Sequence, residues 1–133
     1  WETEAGEKAI LRRVGSLGDH EGLEALDLIE KQARAGDAAT LAGLAETGHW
    51  LGVGVRSLIN VFNPEVVVLG GLYHRFFEYL EDAVIAGAES AIQASRQMAT
   101  IVRSNVGPDA ALVGASELVL AAVIEDPAAF AWA

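Results

Sequence analysis

The sequence predicts an α/β fold that is rich in helix and contains a small, incomplete parallel sheet. Three observations predict it: long stretches with apolar residues at helical spacing, a β-branched run at Glu65–Leu69, and a weaker strand at Thr100–Val106. A helix separates the two strands, and a right-handed crossover of this kind makes them parallel. Parallel sheets are usually covered on both faces and have more than two strands, so we expect upstream sequence or a partner chain to complete this one.

Three helices are predicted before the first strand. Glu2–Val14 contains good helix formers with acidic residues in its first turn, and Gly15 ends it. The second helix has apolar residues at helical spacing, namely Leu23, Leu26, Ile29 and Ala33. Gly36 ends this helix, and Asp37 is placed to cap the next one, which begins at Ala38.

The third helix is the longest, and it combines an apolar stripe with several glycines. The stripe consists of Leu41, Leu44, Leu51, Val55, Leu58 and Phe62. The glycines are Gly43, Gly48, Gly52 and Gly54. Each glycine costs about 1 kcal/mol relative to alanine in an exposed helix, so we expect close packing against another backbone. Asn63-Pro64 ends the helix, because a residue before proline is disfavoured in the helical region.

A strand, a tight turn and a helix follow Pro64. The β-branched run at Glu65–Leu69 predicts a strand buried on both faces, and Gly70 and Gly71 come directly after it. The helix from Tyr73 has an apolar stripe made of Phe76, Phe77, Leu80, Val84, Ala88 and Ile92.

A last helix is predicted between Gly107-Pro108-Asp109 and Asp126-Pro127. Its predicted inward-facing residues are Ala111, Leu112, Ala115, Leu118, Val119 and Ala122.

Composition narrows the classes of function. The chain has 133 residues, 52% of them hydrophobic, which is enough for one domain spanning residues 1–133. A net charge of −10 disfavours direct contact with nucleic acid or anionic lipid. The absence of cysteine excludes disulfides and thiolate metal sites and fits a cytoplasmic protein. We find no signal peptide and no apolar run long enough for a membrane helix. The chain begins at Trp1 rather than methionine, so we expect further residues upstream.

Gly70 and Gly71 are candidates for nucleotide binding. Two glycines after a buried strand let a ligand approach backbone N–H groups at a helix N-terminus. The alternative is an ordinary strand-to-helix turn, for which glycine is the usual residue. His20, His49 and His74 lack the spacing of metal ligands, and no serine has the surroundings of a hydrolase nucleophile, so we predict neither a metal site nor a catalytic residue.

Three stretches together resemble the ROK family of repressors, open reading frames and sugar kinases. Leu51–Val55 and Leu58–Gly71 resemble the segment that leads into and includes the family's adenosine motif. Ser104–Ser116 resembles the family's closing S-x-L-G-x-D-A-A-x-x-G-A-A segment, with Val106 and Ser116 as departures. Trp1–Ala5 is similar to the residues that follow the last cysteine of the family's zinc segment.

The resemblance implies that the chain is a C-terminal fragment of an actin-like ATPase lobe of the ribonuclease H class. It implies that Glu2 occupies the position of a sugar-binding glutamate, although a capping role in the first helix turn is an equal alternative. The phosphate loop, the catalytic aspartate and the zinc ligands of the family fall outside the chain. We therefore expect no catalysis from the fragment alone, and no cofactor in it, with ATP relevant only if the parent protein is a kinase.

Three classes of function remain open. The first is a sugar-responsive transcriptional regulator, in which this piece senses sugar, forms a homo-oligomer, and reaches DNA only through an upstream domain. Support comes from the Asp126–Ala129 ending and from Leu72–His74, where kinases often carry another glycine. The second class is a sugar kinase of the same family, with Gly70 and Gly71 supporting adenosine. The third is an interaction module that only self-associates.

Overall fold

The computed structural model of the chain describes residues 2–15, 22–92, 99–107 and 109–130. Six α-helices, two strands and a final 3-10 turn occur in these ranges. In chain order they are α1 (Glu2–Ala5), α2 (Glu7–Val14), α3 (Gly22–Arg34), α4 (Ala38–Phe62), β1 (Val66–Leu69), α5 (Leu72–Ile92), β2 (Thr100–Arg103), α6 (Ala110–Glu125) and the turn Pro127–Phe130. This is the helix-rich α/β arrangement that the sequence predicts.

The N-terminal segment differs from the single helix that was predicted. Gly6 has an extended backbone and separates α1 from α2, so the chain changes direction after one turn of helix. Glycine is a poor helix former and is tolerated at the N-cap, which favours a break at this position. A four-residue helix has almost no stability of its own, so α1 depends on its contacts with the rest of the molecule.

The predicted signals at the ends of α4 are confirmed. Asp37 caps the helix by accepting a hydrogen bond of 2.8 Å from the backbone N–H of Thr40. At the other end, Asn63 adopts a left-handed conformation with φ of 44° and donates its backbone N–H to the carbonyl of Ile59. Pro64 follows and prevents the helix from continuing.

The glycines of α4 lie where two helix backbones meet, as predicted. A Cβ on Gly52 would lie 2.3 Å from the Val84 carbonyl oxygen and 2.9 Å from the Cα of Gly87. Gly48 lies beside Leu80 in the same way, so α4 and α5 run in the same direction as they cross. On the other side of α4, Gly43 approaches the backbone of Arg13 in α2. The propensity cost of these glycines is thus offset by close helix packing.

The core forms around the α4–α5 pair. The largest side chains that are fully buried there are Ile10, Ile29, Leu44, Leu51, Val55, Ile59, Phe76, Leu80 and Val84. The apolar stripes are therefore confirmed at their centres, although not at every position. Three stripe residues are exposed. Leu23 lies in the first turn of α3, and Leu58 and Phe62 lie in the last turns of α4, beyond its crossing with α5 at Gly52.

In the described part of the chain, the sheet consists of β1 and β2, which pair in parallel with Val66 opposite Thr100 and Leu69 opposite Arg103. The pairing is the predicted one, but the prediction that β1 is buried on both faces is wrong. Val66 and Val68 are 50% and 60% exposed, because no described element covers that face. β2 ends at Arg103 instead of reaching Val106.

The last helix, α6, differs most from the prediction. It occupies the predicted part of the chain and ends before Asp126-Pro127, but none of its described residues is buried. Leu118 and Ile124, for example, are both 77% exposed. Apolar residues lie all around this helix, a pattern typical of a helix enclosed by other elements. No helix in the described ranges is long and apolar enough to cross a membrane.

Candidate functional site

Gly70 and Gly71 lie at the edge of the sheet where both strands end. Because the strands are parallel, the residues after Leu69 and Arg103 are neighbours, and the backbone N–H of Ser104 donates to the Leu69 carbonyl at 2.8 Å. Gly70 faces Ser104, whose Cβ would be 3.6 Å from a Cβ on Gly70. Ligands of open α/β sheets bind at this edge, where the chain passes from strand to helix.

The turn itself has an open side. Gly71 has a φ of 57°, and a Cβ placed there would have no atom within 4 Å. The carbonyls of Gly70 and Gly71 accept the N–H groups of Tyr73 and His74, which closes the first turn of α5. These features suit the approach of a ligand, and they equally suit the tight turn that was the alternative.

His74 lies across this edge and connects its two loops. Its Nδ1 is 2.7 Å from the carbonyl oxygen of Ser104, and its Nε2 is 3.1 Å from a guanidinium nitrogen of Arg103. A carbonyl only accepts, so Nδ1 carries the proton and donates, while Nε2 accepts from Arg103. Gly107 lies beside the ring, but a Cβ there would be at an ordinary contact distance of 4.0 Å from Nε2, so its φ of 77° rather than space favours glycine. Sequence spacing could not indicate this contact.

Charged residues surround a cavity of about 300 Å³ beside His74, which is lined by Glu30, His74, Arg75 and Arg103. Arg75 forms ion pairs with Asp27 and with Glu30 at 2.7 Å, and thereby joins α5 to α3. Partial burial lowers the pKa of Arg75, but its bonds to the two carboxylates outweigh that effect and raise the pKa overall. The Arg75 charge is therefore largely neutralised by α3.

Glu2 lies at the start of α1, and its side chain is outside the described residues. Two cavities lie beside α1. One, of about 560 Å³, includes Thr3 and Arg12 in its lining, and the other, of about 480 Å³, lies between α1 and α4. The residues lining the second cavity are Glu4, Trp50, Val53, Gly54, Ser57 and Leu58. A mainly apolar wall with a few polar groups is usual for small-molecule pockets.

Trp50 and Glu4 were not predicted as site residues. Trp50, Gly54 and Ser57 follow one another at helical spacing on one side of α4, a signal that the apolar stripe obscured. α1, which carries Glu2, and the turn at Gly70 and Gly71 are connected through Tyr73, two residues after Gly71. The hydroxyl of Tyr73 donates to the Ala5 carbonyl at 2.6 Å.

His49, unlike His74, is not among the residues that line these three cavities. His49 is exposed on α4 and makes an edge contact with the ring of Trp50 at 5.8 Å between centroids. His20 lies outside the described residues. Among residues that the structure describes, no group of three or more histidines and carboxylates could hold a metal ion.

Comparison with known proteins assigns the chain to a family. The sequence model of the ROK family matches residues 1–122, and the chain belongs to this family. It is also similar to the xylose repressor of Bacillus subtilis strain 168, with 38% identity over 69 residues. The xylose repressor of Bacillus spizizenii is 36% identical over a segment of the same length. Each alignment covers 52% of this chain and only 17% of the repressor. No solved structure gives a significant match.

Proposed function

We propose that this chain is the C-terminal portion of the sugar-sensing and dimerising domain of a ROK transcriptional regulator, and that it is not catalytic by itself. The observation that carries the proposal is the similarity to two proteins named as xylose repressors. On this proposal the whole protein is a cytoplasmic homo-oligomer that binds a sugar and contacts DNA through a domain upstream of these residues. Xylose is the first sugar to test, because the related proteins are named for it.

The uncovered apolar surfaces support a role as part of a larger lobe. One face of β1 and nearly all of α6 are exposed, including Val66, Val68 and Leu118. Burying a valine or leucine side chain contributes about 1.5–3 kcal/mol, so this much exposed apolar surface favours a covered state in the whole protein. We propose that the preceding part of an actin-like lobe covers it.

The position of Glu2 supports a sugar site beside α1. A carboxylate that accepts hydrogen bonds from sugar hydroxyls contributes about 1.5–3 kcal/mol to binding, which corresponds to roughly tenfold or more in affinity. The two cavities beside α1 provide space for such a ligand. Glu2 therefore remains the proposed ligand contact.

Calorimetric titration of the intact protein with xylose and other pentoses and hexoses tests this proposal. We expect Glu2→Ala to weaken the binding of the cognate sugar about tenfold or more. Glu24→Ala is the control, because Glu24 is an acidic residue in the first turn of α3 and lines neither cavity beside α1. Equal affinities of the wild type and Glu2→Ala would remove Glu2 from the site.

A ROK sugar kinase is the second candidate, and the open Gly70–Gly71 turn is the observation that favours it. In that case ATP is the cofactor of the whole protein, with its adenosine against this turn. His74, which bridges to Ser104 and Arg103 at the same edge, belongs to the Leu72–His74 stretch where kinases of the family often carry another glycine, which supports the regulator instead. Formation of a sugar phosphate by the intact protein with ATP would favour the kinase and overturn the first proposal.

A further inference from the structure

Helix α1 carries the proposed sugar contact, yet it has only four residues and cannot hold its own position. The last carbonyls of a helix lack partners within it and must be satisfied from elsewhere. In α1, those of Thr3, Glu4 and Ala5 accept hydrogen bonds from side chains of other elements. The donors of the two less exposed bonds are Arg13 of α2 and Tyr73 of α5.

We propose that Tyr73 and Arg13 are positioning residues for the sugar site, and that they act by fixing α1 and hence the backbone position of Glu2. The inference rests on the proposed function, because it takes Glu2 to be the sugar contact. Neither residue needs to touch the sugar. Their effect on binding passes through the backbone of α1, in which Glu2 lies less than one turn from Glu4 and Ala5.

Tyr73 fixes the end of α1 from the side of the sheet. Its hydroxyl donates to the Ala5 carbonyl at 2.6 Å, across 68 positions of sequence. Ala5 is fully buried, so water cannot readily replace the tyrosine as a partner of this region. Tyr73 also belongs to the first turn of α5, next to His74, which contacts the loop after β2. The same helical turn therefore holds both α1 and the edge of the sheet.

Arg13 fixes α1 from the side of α2 and α4. Its guanidinium donates to the Glu4 carbonyl, pairs with the Glu4 carboxylate at 2.5 Å, and pairs with Glu46 of α4 at 2.9 Å. A weaker bond of 3.4 Å reaches the Thr47 hydroxyl. The Arg13 side chain is only 7% exposed, in contrast to 54% for Arg12, which also contacts Glu4. A planar guanidinium spreads five N–H donors over three nitrogens and so reaches partners on α1 and α4 at once, whereas an ammonium group has three donors on a single atom.

Sugar titration of the intact protein tests the proposal. Tyr73→Phe removes one oxygen atom and should raise the dissociation constant for the cognate sugar about threefold to tenfold. Tyr79→Phe is the matched control, because Tyr79 lies on the same helix and its hydroxyl interacts with Glu78, away from α1. The control should leave sugar affinity unchanged. Arg13→Met should weaken binding similarly or more, and Arg13→Lys should restore only part of the affinity.

A double-mutant cycle separates positioning from a general loss of structure. In the Glu2→Ala protein, Tyr73→Phe should change the remaining affinity by no more than about twofold, because there is no longer a carboxylate to position. An equal loss of affinity in both backgrounds would overturn the proposal. The proposal would also be overturned if Tyr73→Phe bound the sugar as tightly as the wild type while Glu2→Ala bound it weakly. If Glu2→Ala itself binds normally, the proposed sugar contact is wrong, and the inference that rests on it is overturned too.

Discussion

Replacing Gly52 by alanine should destabilise the protein, although alanine is the better helix former. A Cβ on Gly52 would lie 2.3 Å from the Val84 carbonyl oxygen, and ordinary contacts begin near 3.4 Å. The α4 and α5 backbones would have to separate by about 1 Å, since a carbonyl of the helix ladder cannot turn away as a flexible side chain can. This separation would loosen the centre of the core.

Two opposing effects determine the size of the change. Alanine gains about 1 kcal/mol over glycine in helix propensity. Overpacking a tightly packed site costs about 1–3 kcal/mol, and a clash between two backbones belongs at the upper end of that range. We therefore expect Gly52→Ala to lower the free energy of unfolding by about 2 kcal/mol.

Gly114→Ala is the matched control in the same chain. Gly114 lies inside α6, and a Cβ there would have no atom within 4 Å, so only the helix propensity changes. This variant should raise the free energy of unfolding by up to about 1 kcal/mol, so the free energies of unfolding of the two variants should differ by about 3 kcal/mol. Urea denaturation followed by circular dichroism measures both values. Equal stabilisation by the two substitutions would refute the close backbone contact at Gly52.

Two further predictions concern the start of α4 and the surface of α6. Asp37→Ala should lower the melting temperature more than Asp37→Asn, because asparagine keeps an acceptor for the Thr40 N–H. Hydrogen bonds from the backbone and side chain of Thr40 lower the pKa of Asp37, so the advantage of aspartate over asparagine is present above the carboxyl's unfolded pKa. That advantage should be lost as the pH falls through the lowered pKa of Asp37 in the folded protein, and thermal melts from neutral to acidic pH measure it. A melting-temperature difference between the wild type and Asp37→Asn that does not vary with pH would contradict the role of the Asp37 charge. If α6 is covered in the intact protein, Leu118→Ala should lower its free energy of unfolding by about 2–5 kcal/mol. In the 133-residue chain alone, where Leu118 is 77% exposed, the same change should cost under about 0.5 kcal/mol. Glu117→Ala, one residue earlier, is the control, and equally small effects of Leu118→Ala in both proteins would contradict a cover over α6.

Sequence reasoning was most accurate at the ends of elements. Asp37, the Asn63-Pro64 pair and the two glycines after Leu69 act on the backbone within a few residues of themselves, so their effect can be read locally. The close approach of α4 to another backbone was also predictable, because glycines in a long helix need a packing reason. Which backbone approaches each glycine could not be predicted, since α2 and α5 contact different sides of α4.

The candidate site was predictable only in part. The sequence indicated the turn at Gly70 and Gly71, and Glu2 as a sugar contact, which the resemblance implies, stays a prediction. It gave no sign of the bond between Tyr73 and the Ala5 carbonyl, of His74 lying across the sheet edge, or of the buried guanidinium of Arg13. Each of these contacts joins residues that are distant in sequence or depends on a particular side-chain direction. No periodicity or local motif encodes such pairs.

The amino-acid sequence by itself therefore determined the family, the order of the elements and most of their boundaries, because these depend on local backbone chemistry and on motif patterns. The tertiary structure decided which apolar faces are covered. Alternating and helical patterns indicate that a face is apolar, but its burial also requires a neighbouring element of matching shape. Among the described residues, α6 and one face of β1 have no such neighbour.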